Sequence, residues 1–343
     1  MINYLGHSGI VTAKAPFRID FAGGTTDIPP LYLLHSPAPV VNAAITLYAT
    51  VTIAPSERFT IVSQDQGLTV SSKDQKSMNF ERYPKLEFLI RLAKLFPLER
   101  NVCIEVNSEA PRGSGLGASS AIAVAMVAAL AAWTGRRLSG KKIVEYAKSI
   151  ETQTIKVPTG YQDYWAAWYG GANSYRMSLD GEVERTSFKN KSFIKNIERH
   201  LILVYAGEPH FSGMNNWELF KKYFDGDRKT ISFFEELKEN AVQMESAFQR
   251  RSIKDIARIM NQDWRTRKAM LPSMTTPGIE RLTRLAFRNG AIGLRTCGAG
   301  GGGCVAVLVR PEKRDFLIEK IKNVGMRVLP VGISRGITAK RLL

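Results

Sequence analysis

Ten consecutive residues, Pro111-Arg112-Gly113-Ser114-Gly115-Leu116-Gly117-Ala118-Ser119-Ser120, carry the strongest chemical signal in this sequence. Glycine at every second position lets a backbone curl until successive N–H groups converge, as an anionic group requires. A helix starting in the alanine- and valine-rich run that follows would add free N–H groups and a partial positive charge. Ser119 and Ser120 supply hydroxyls able to donate to a phosphate or to ligate magnesium. The run lacks the Gly-Lys-[Ser/Thr] ending of a Walker loop, and its G-x-G-x-G spacing differs from the dinucleotide G-x-G-x-x-G. Taken alone, it fits a tight strand–helix junction as well as a phosphate cradle.

The elements on either side must position that loop. Residues 101–107 alternate Val102, Ile104 and Val106 with polar neighbours, the period of a strand, and residues 118–133 read as a buried helix closed by Gly135. At sixteen residues this apolar run is shorter than the roughly 20 that a membrane span needs. Upstream, residues 11–20 read as a strand entering the turn Gly23-Gly24-Thr25-Thr26-Asp27, which Pro29-Pro30 stops. Residues 44–53 read as a second strand, 58–63 and 67–71 as a hairpin, and 85–96 as an amphipathic helix. Downstream, helices are expected over 139–152, 231–250, 253–270 and 311–324, with strands at 201–206, 305–309 and 327–332. Composition changes after Gly170-Gly171, which puts a domain boundary near residues 175–200.

A length of 343 residues suits two domains, and 44% hydrophobic with 23% charged residues suits a globular core. Lys and Arg number 48 against 31 Asp and Glu, a net charge of +17 that favours anionic ligands. The charge is dispersed through pairs such as Lys141-Lys142, Lys221-Lys222 and Arg250-Arg251, without a basic tract interleaved with aromatics. No nucleic-acid recognition module stands behind it, so no nucleic-acid partner is expected. Cys103, Cys297 and Cys304 have no C-x-x-C spacing, which argues against disulfides and zinc and fits a reducing cytoplasm. The opening residues show no basic region followed by an apolar run, so neither a secretory leader nor a membrane partner is expected. His7, His35, His200 and His210 show no metal-ligand spacing.

The run PRGSGLGASSA resembles the phosphate loop of the GHMP kinases, the family of galactokinase, homoserine kinase, mevalonate kinase and phosphomevalonate kinase. Two further stretches are similar to that family's other motifs, in order. Residues 15–27, APFRIDFAGGTTD, resemble the N-terminal substrate motif, and residues 297–303, CGAGGGG, the C-terminal glycine motif. Galactokinases carry Glu and His where this sequence has Gly24 and Thr25. The Gly-Gly-Thr-Thr-Asp form, Gln162-Asp163 and the aromatic continuation to Gly171 resemble instead the sugar 1-kinase branch, that of heptose 7-phosphate kinases and L-fucokinases, which act on an anomeric hydroxyl.

The resemblance implies an α+β protein of two domains. Residues 1–185 would form an α+β nucleotide-binding domain and residues 186–343 a ferredoxin-like α/β sandwich, with ATP, Mg2+ and a small sugar or sugar phosphate meeting between them. It implies Asp163 as general base, Arg18 as the charge beside it, and Ser119 with Glu151 as magnesium ligands. Pro111, Gly113, Ser114, Gly115, Leu116, Gly117, Ala118, Ser119 and Ser120 would hold the nucleotide. Gly23, Gly24, Thr25, Thr26, Asp27, Gly160, Gln162, Gly298, Gly300 and Gly301 would form the substrate side. Read on their own, Asp163 could cap a helix starting at Tyr164, Glu151 could be a solvated helix residue, Arg18 could pair with Asp20, and Asp27 could make an Asx-turn. Lys156, Thr159 and Arg295 are candidate partners for a substrate phosphate. The aromatic stretch 164–169 is expected to pack between the domains, and Cys297 and Cys304 to be small buried residues. Whether the chain is a monomer or a homodimer is left open.

Overall fold

The computed structural model describes residues 9–36, 38–207 and 212–342; His7 and His210 lie outside them. The chain begins with β1 (Ile10–Ala22), a short helix α1 (Leu31–Leu34), β2 (Pro39–Pro55), the hairpin β3 (Phe59–Ser63) and β4 (Leu68–Ser72), α2 (Glu87–Ala93) and β5 (Val102–Ser108). Three helices follow, α3 (Ala118–Trp133), α4 (Gly140–Ile155) and α5 (Gln162–Tyr169), then a second hairpin of β6 (Ala172–Met177) and β7 (Val183–Phe188). Next come α6 (Lys191–His200), β8 (Leu201–Tyr205), α7 (Ser212–Phe224), α8 (Arg228–Gln249), α9 (Ile253–Met270) and α10 (Pro277–Arg288). The last elements are β9 (Ala291–Thr296), β10 (Cys304–Val309), α11 (Arg314–Asn323), β11 (Arg327–Leu329) and β12 (Thr338–Leu342).

These elements make two sheets. The larger has eight strands, ordered β12-β1-β2-β5-β3-β4, with β6 joined to β2 and β7 to β6. Long β2 serves two partners: Ala49 to Pro55 pair with β5, while Pro39 to Ala43 pair with β6. Only β3 and β5 run parallel among the described strands. The smaller sheet has the order β11-β8-β10-β9, all antiparallel. Numbered along the chain this is 4-1-3-2 with helices between strands one and two and between three and four, the ferredoxin-like arrangement expected.

Burial follows from what covers each face. In β1 the first residues alternate between buried and part-exposed, whereas everything from Pro16 to Ala22 is buried. Helices α3 and α5 pack on that half of the sheet, and α8 and α9 also pack on β1. In the small sheet, Leu201, Leu203, Cys304, Ala306 and Leu308 join the main core, while Ile202, Val204, Val305, Val307 and Val309 join a second core under α8 and α10. A sheet buried on both sides reads as continuous apolar runs, which is why LILVY and CVAVLV show no alternation.

The expected partition at residue 185 does not follow the sheets. β7 spans it, and β12 returns to pair with β1 through Ile10–Leu342 and the four pairs that follow. The chain's closing strand is therefore part of the larger sheet, and the stretch expected as one strand over 327–332 is only the short β11. The helix expected over 118–133 is present and buried nearly throughout. No helix among the described residues is long and apolar enough to cross a membrane.

Helix α3 packs on β1, β2, α4 and α5, and alanine at so many positions lets those neighbours approach its backbone. Ala128 is fully buried in this contact. Replacing it with Leu should destabilise the fold by about 1–3 kcal/mol through overpacking. Equilibrium urea unfolding should give a lower midpoint with an unchanged slope.

Candidate active site

The glycine-rich run lies between β5 and α3. Gly113, Gly115 and Gly117 have φ of 67°, 72° and 69°, a left-handed conformation that few other residues adopt. At Gly115 a Cβ would also lie 2.4 Å from the carbonyl oxygen of Cys297. The loop's carbonyls point away into protein: Ser114 O accepts from Cys304 N–H at 2.8 Å and Leu116 O from Arg18 N–H at 3.0 Å. Helix α3 starts at Gly117 with no side chain capping it. Its first turn, Ala118, Ser119 and Ser120, borders a cleft of about 510 Å3 together with residues 111–117. An uncapped start of a sixteen-residue helix, joined to left-handed glycines, suits a phosphate group.

Arg18 and Asp20 are two residues apart on β1 and therefore share a face. The guanidinium of Arg18 donates to both oxygens of Asp163, Nε–Oδ1 at 2.7 Å and Nη2–Oδ2 at 2.9 Å. Its Nη1 donates to Gly115 O at 2.5 Å, and Asp20 Oδ1 lies 3.0 Å from its Nε. Both readings of Arg18, partner of Asp20 and partner of Asp163, hold together. Burial opposes the charge of Arg18, but Asp163 and then Asp20 more than offset it and raise its pKa. For Asp163 burial acts first and raises the pKa; Arg18 pulls it down, while Asp20 adds repulsion. The outcome is a carboxylate more basic than an ordinary Asp, aimed by a two-point contact. Its Oδ2 would lie 3.1 Å from a Cβ at Gly117, so the loop's last glycine brings α3 directly against it.

Glu151, on α4, is buried and not a solvated helix residue. Its Oε1 accepts from Ser119 Oγ at 2.5 Å, and its Oε2 from Ser120 Oγ at 2.9 Å and Tyr164 Oη at 2.7 Å. Burial raises its pKa while the three hydroxyls pull it back. Among the described residues no group of three or more His, Cys, Asp and Glu side chains could cage a metal. One carboxylate beside one hydroxyl suits a hard cation that takes its remaining oxygens from phosphate and water.

The turn after β1 forms the opposite wall. Asp27 Oδ2 accepts from the backbone N–H groups of Tyr161 and Gln162 at 2.7 and 2.9 Å, and its buried Oδ1 has no partner. A Cβ at Gly160 would lie 2.2 Å from that Oδ2, so only glycine fits there. Gly24, Thr25, Asp27, Gly160 and Gln162 all border the cleft, as do Arg18, Glu151 and Asp163. Gly23 and Thr26 are buried behind the turn, where Thr26 Oγ1 donates to Gly23 O at 2.6 Å. Gly298 borders the cleft, and its N–H donates to Asp20 Oδ2 at 2.8 Å. Gly300 and Gly301 do not border it; they fold against Met274, whose O accepts from Gly301 N–H at 2.6 Å.

Other expectations need correcting. Arg295 is fully buried, 2.8 Å from Asp263 Oδ2, and cannot meet a substrate phosphate. Lys156 is an exposed left-handed residue ending α4 and does not border the cleft, whereas Thr159 does. Asp163 caps nothing, because α5 begins at Gln162 with Tyr161 as its N-cap. The aromatics of 164–169 pack locally: Trp165 stacks on Tyr169 at 5.3 Å, and Trp168 approaches Gly140. Cys297 is buried, with its thiol pushed up to about 12, so it is no nucleophile. Five residues were not foreseen in these roles. Tyr164 holds Glu151, Asp20 ties the C-terminal glycine run to Arg18, and Lys85, Phe88 and Asp65 border the far end of the cleft. The spacing Arg18-x-Asp20 on a strand signals the second; nothing local signals the others.

Burial raises the pKa of Asp27 above its ordinary 3.8, despite the two backbone donors. The stability this group lends is therefore present below that value and lost as pH rises through its folded pKa. Asp27→Asn can keep both backbone bonds through its own oxygen and set its NH2 at the unpartnered site. Its melting temperature at pH 8 should exceed that of the parent, with the gap closing as pH falls towards 4.

Residues 86–171 match the GHMP kinases N terminal domain, and residues 244–325 match the GHMP kinases C terminal domain. The chain is 29% identical over 330 residues to the D-glycero-alpha-D-manno-heptose 7-phosphate kinase of Campylobacter jejuni, covering 91% of this chain and 93% of that one. It is 28% identical to the L-fucokinase/L-fucose-1-P guanylyltransferase of Bacteroides fragilis, over 91% of this chain but 36% of that longer protein. A solved D-glycero-D-manno-heptose 1-phosphate kinase from Bacteroides thetaiotaomicron shares the fold, with a TM-score of 0.77 at 22% identity over 97% of this chain and 99% of its own. With both domains matched in their proper order on that shared fold, the chain belongs to the GHMP kinases and is an ATP-dependent phosphotransferase acting on a hydroxyl group.

Proposed function

We propose that the chain is a sugar kinase that transfers the γ-phosphoryl group of ATP to the anomeric hydroxyl of a sugar phosphate, D-glycero-D-manno-heptose 7-phosphate, giving the 1,7-bisphosphate. The observation that carries the reading is the position of Asp163. Its carboxylate is fixed by Arg18, touches the start of α3 on one side, and is one residue from Gln162, whose N–H meets Asp27, on the other. A base so placed stands between a phosphate cradle and a wall with an unpartnered carboxylate oxygen. The name and 29% identity of the Campylobacter jejuni relative support the choice of heptose phosphate. The L-fucokinase relatives keep fucose as the second acceptor to test.

In this reading the backbone N–H groups of residues 113–120 hold the nucleotide phosphates, and Asp27 accepts hydrogen bonds from sugar hydroxyls. The anomeric O–H gives its proton to Asp163. A bond forms between that oxygen and the γ-phosphorus, the bond to the β–γ bridging oxygen breaks, and ADP leaves. Arg18 keeps Asp163 oriented and balances its charge as the proton arrives. Ser119 and Glu151 would hold Mg2+, which neutralises phosphate charge when bound. Free cysteines and dependence on ATP fit a cytoplasmic enzyme. We assign residues 1–188, through the end of β7, together with β12 to the nucleotide side and the rest to the ferredoxin-like side.

A coupled ADP-release assay over heptose 7-phosphate, L-fucose, galactose, mannose and mevalonate should give turnover with heptose 7-phosphate at the highest kcat/KM. Turnover with mevalonate alone would overturn the assignment. In the same assay Asp163→Asn should lower kcat by about 10²–10⁴-fold, while ATP affinity measured by calorimetry stays close to the parent's. Ser119→Ala should require more magnesium for half-maximal rate; an unchanged requirement would remove Ser119 from the metal site.

A further inference from the structure

The 23–27 turn is held from behind by a group outside the cleft. Arg267, on α9, is 2% exposed and does not border the cleft. Its Nη2 donates to Gly24 O at 2.5 Å, its Nη1 reaches Thr25 Oγ1 at 3.4 Å, and its Nε donates to Asp263 Oδ2 at 2.8 Å. The same Asp263 oxygen is 2.8 Å from Arg295 Nη1, and Arg295 Nε donates to Thr296 O at 3.2 Å. Asp263 and Arg295 are fully buried.

What this assembly grips is a strained piece of backbone. Thr25 has φ of 85°, a left-handed conformation that costs a β-branched residue of order 1–3 kcal/mol. Such a conformation persists only where its surroundings over-determine it. On the cleft side, Gln162 crowds Gly24 so closely that a Cβ there would lie 2.7 Å from Nε2. On the far side, among the described residues, only Arg267 meets both the Gly24 carbonyl and the Thr25 hydroxyl. A buried charge left half-paired is costly, so Asp263, itself held by Arg295, keeps the Arg267 guanidinium at one place and orientation.

We propose that Arg267 is a positioning residue for the acceptor side of the site: through Gly24 and Thr25 it sets where Asp27 stands, and thereby how tightly the sugar is held. The proposal rests on the reading of the 24–27 turn as the sugar wall. It assigns to α9, an element matched by no glycine motif, a share of substrate affinity.

Arg267→Lys keeps the charge but cannot reach Asp263, Gly24 and Thr25 together. With heptose 7-phosphate as acceptor it should raise the sugar KM by about tenfold while the ATP KM stays within about twofold. Hydrogen exchange without substrate should quicken at the Thr26 and Ile28 amides, which are bonded to Gly23 O and Thr25 O, and stay unchanged at Ala121 in α3. A folded variant with parental exchange and parental sugar KM, or one whose two KM values rise together, overturns the proposal. Should Arg267→Lys yield no folded protein, Thr25→Val decides through the same two readouts. Asp27→Asn separates the two layers of the argument. If it raises the sugar KM and Arg267→Lys does not, positioning by Arg267 fails and the site reading stands. If it leaves the sugar KM alone, the reading of the turn as the sugar wall is what fails.

Discussion

One buried guanidinium holds the cleft together. Arg18 sits on the fully buried half of β1 and is only 4% exposed, at the floor of the cleft, so its charge has little access to water. It is tolerable there only because two carboxylates and a carbonyl meet its donors. Each of those partners belongs to a different part of the cleft: Asp163 lies in the first turn of α5, Gly115 in the glycine-rich loop, and Asp20 leads on to Gly298 in the C-terminal half. Satisfying one charge therefore fixes Asp163, the glycine-rich loop and the inter-sheet contact in one arrangement. The backbone of the same residue adds a second hold on the loop through Leu116 O.

The two glycine runs solve a complementary problem. A phosphate cradle needs its N–H groups free, so its carbonyls must be satisfied elsewhere. Cys304 N–H takes Ser114 O, and glycines at 298 and 303 let the second run pass within contact of the first. Gly300 and Gly301 thus serve the shape of a support rather than a substrate surface. Acidic groups are then distributed by burial: Asp27, Glu151 and Asp163 are all raised by desolvation, each countered by a different donor set.

Much of this was legible in the residues. Motifs that close locally could be read: the 111–120 run with its flanking strand and helix, the turn at 23–27, and the long helices α8 and α9 with their periodic apolar faces. What could not be read depends on partners distant in sequence. Arg295 looks like a free cation beside a glycine motif until Asp263, on α9, neutralises it. Tyr164 looks like one aromatic among several until its hydroxyl meets Glu151 on the preceding helix. The hairpin of β6 and β7 carries few β-formers in sequence and exists because β2 offers it an edge. Likewise, three residues of β11 cannot announce that the chain goes on to rejoin β1.

That last pairing bears on how the protein is made. β12 supplies the outer neighbour of β1, yet it leaves the ribosome after every other strand. Until then the newly made N-terminal half presents the open border of β1, a row of unpaired N–H and C=O groups facing whatever chain is nearby. Completion of the larger sheet must wait until β12 has been made, and the nascent half has to be shielded in the interval. The same strand that closes the sheet links two stretches more than 300 residues apart, so the first strand made is among the last to be covered.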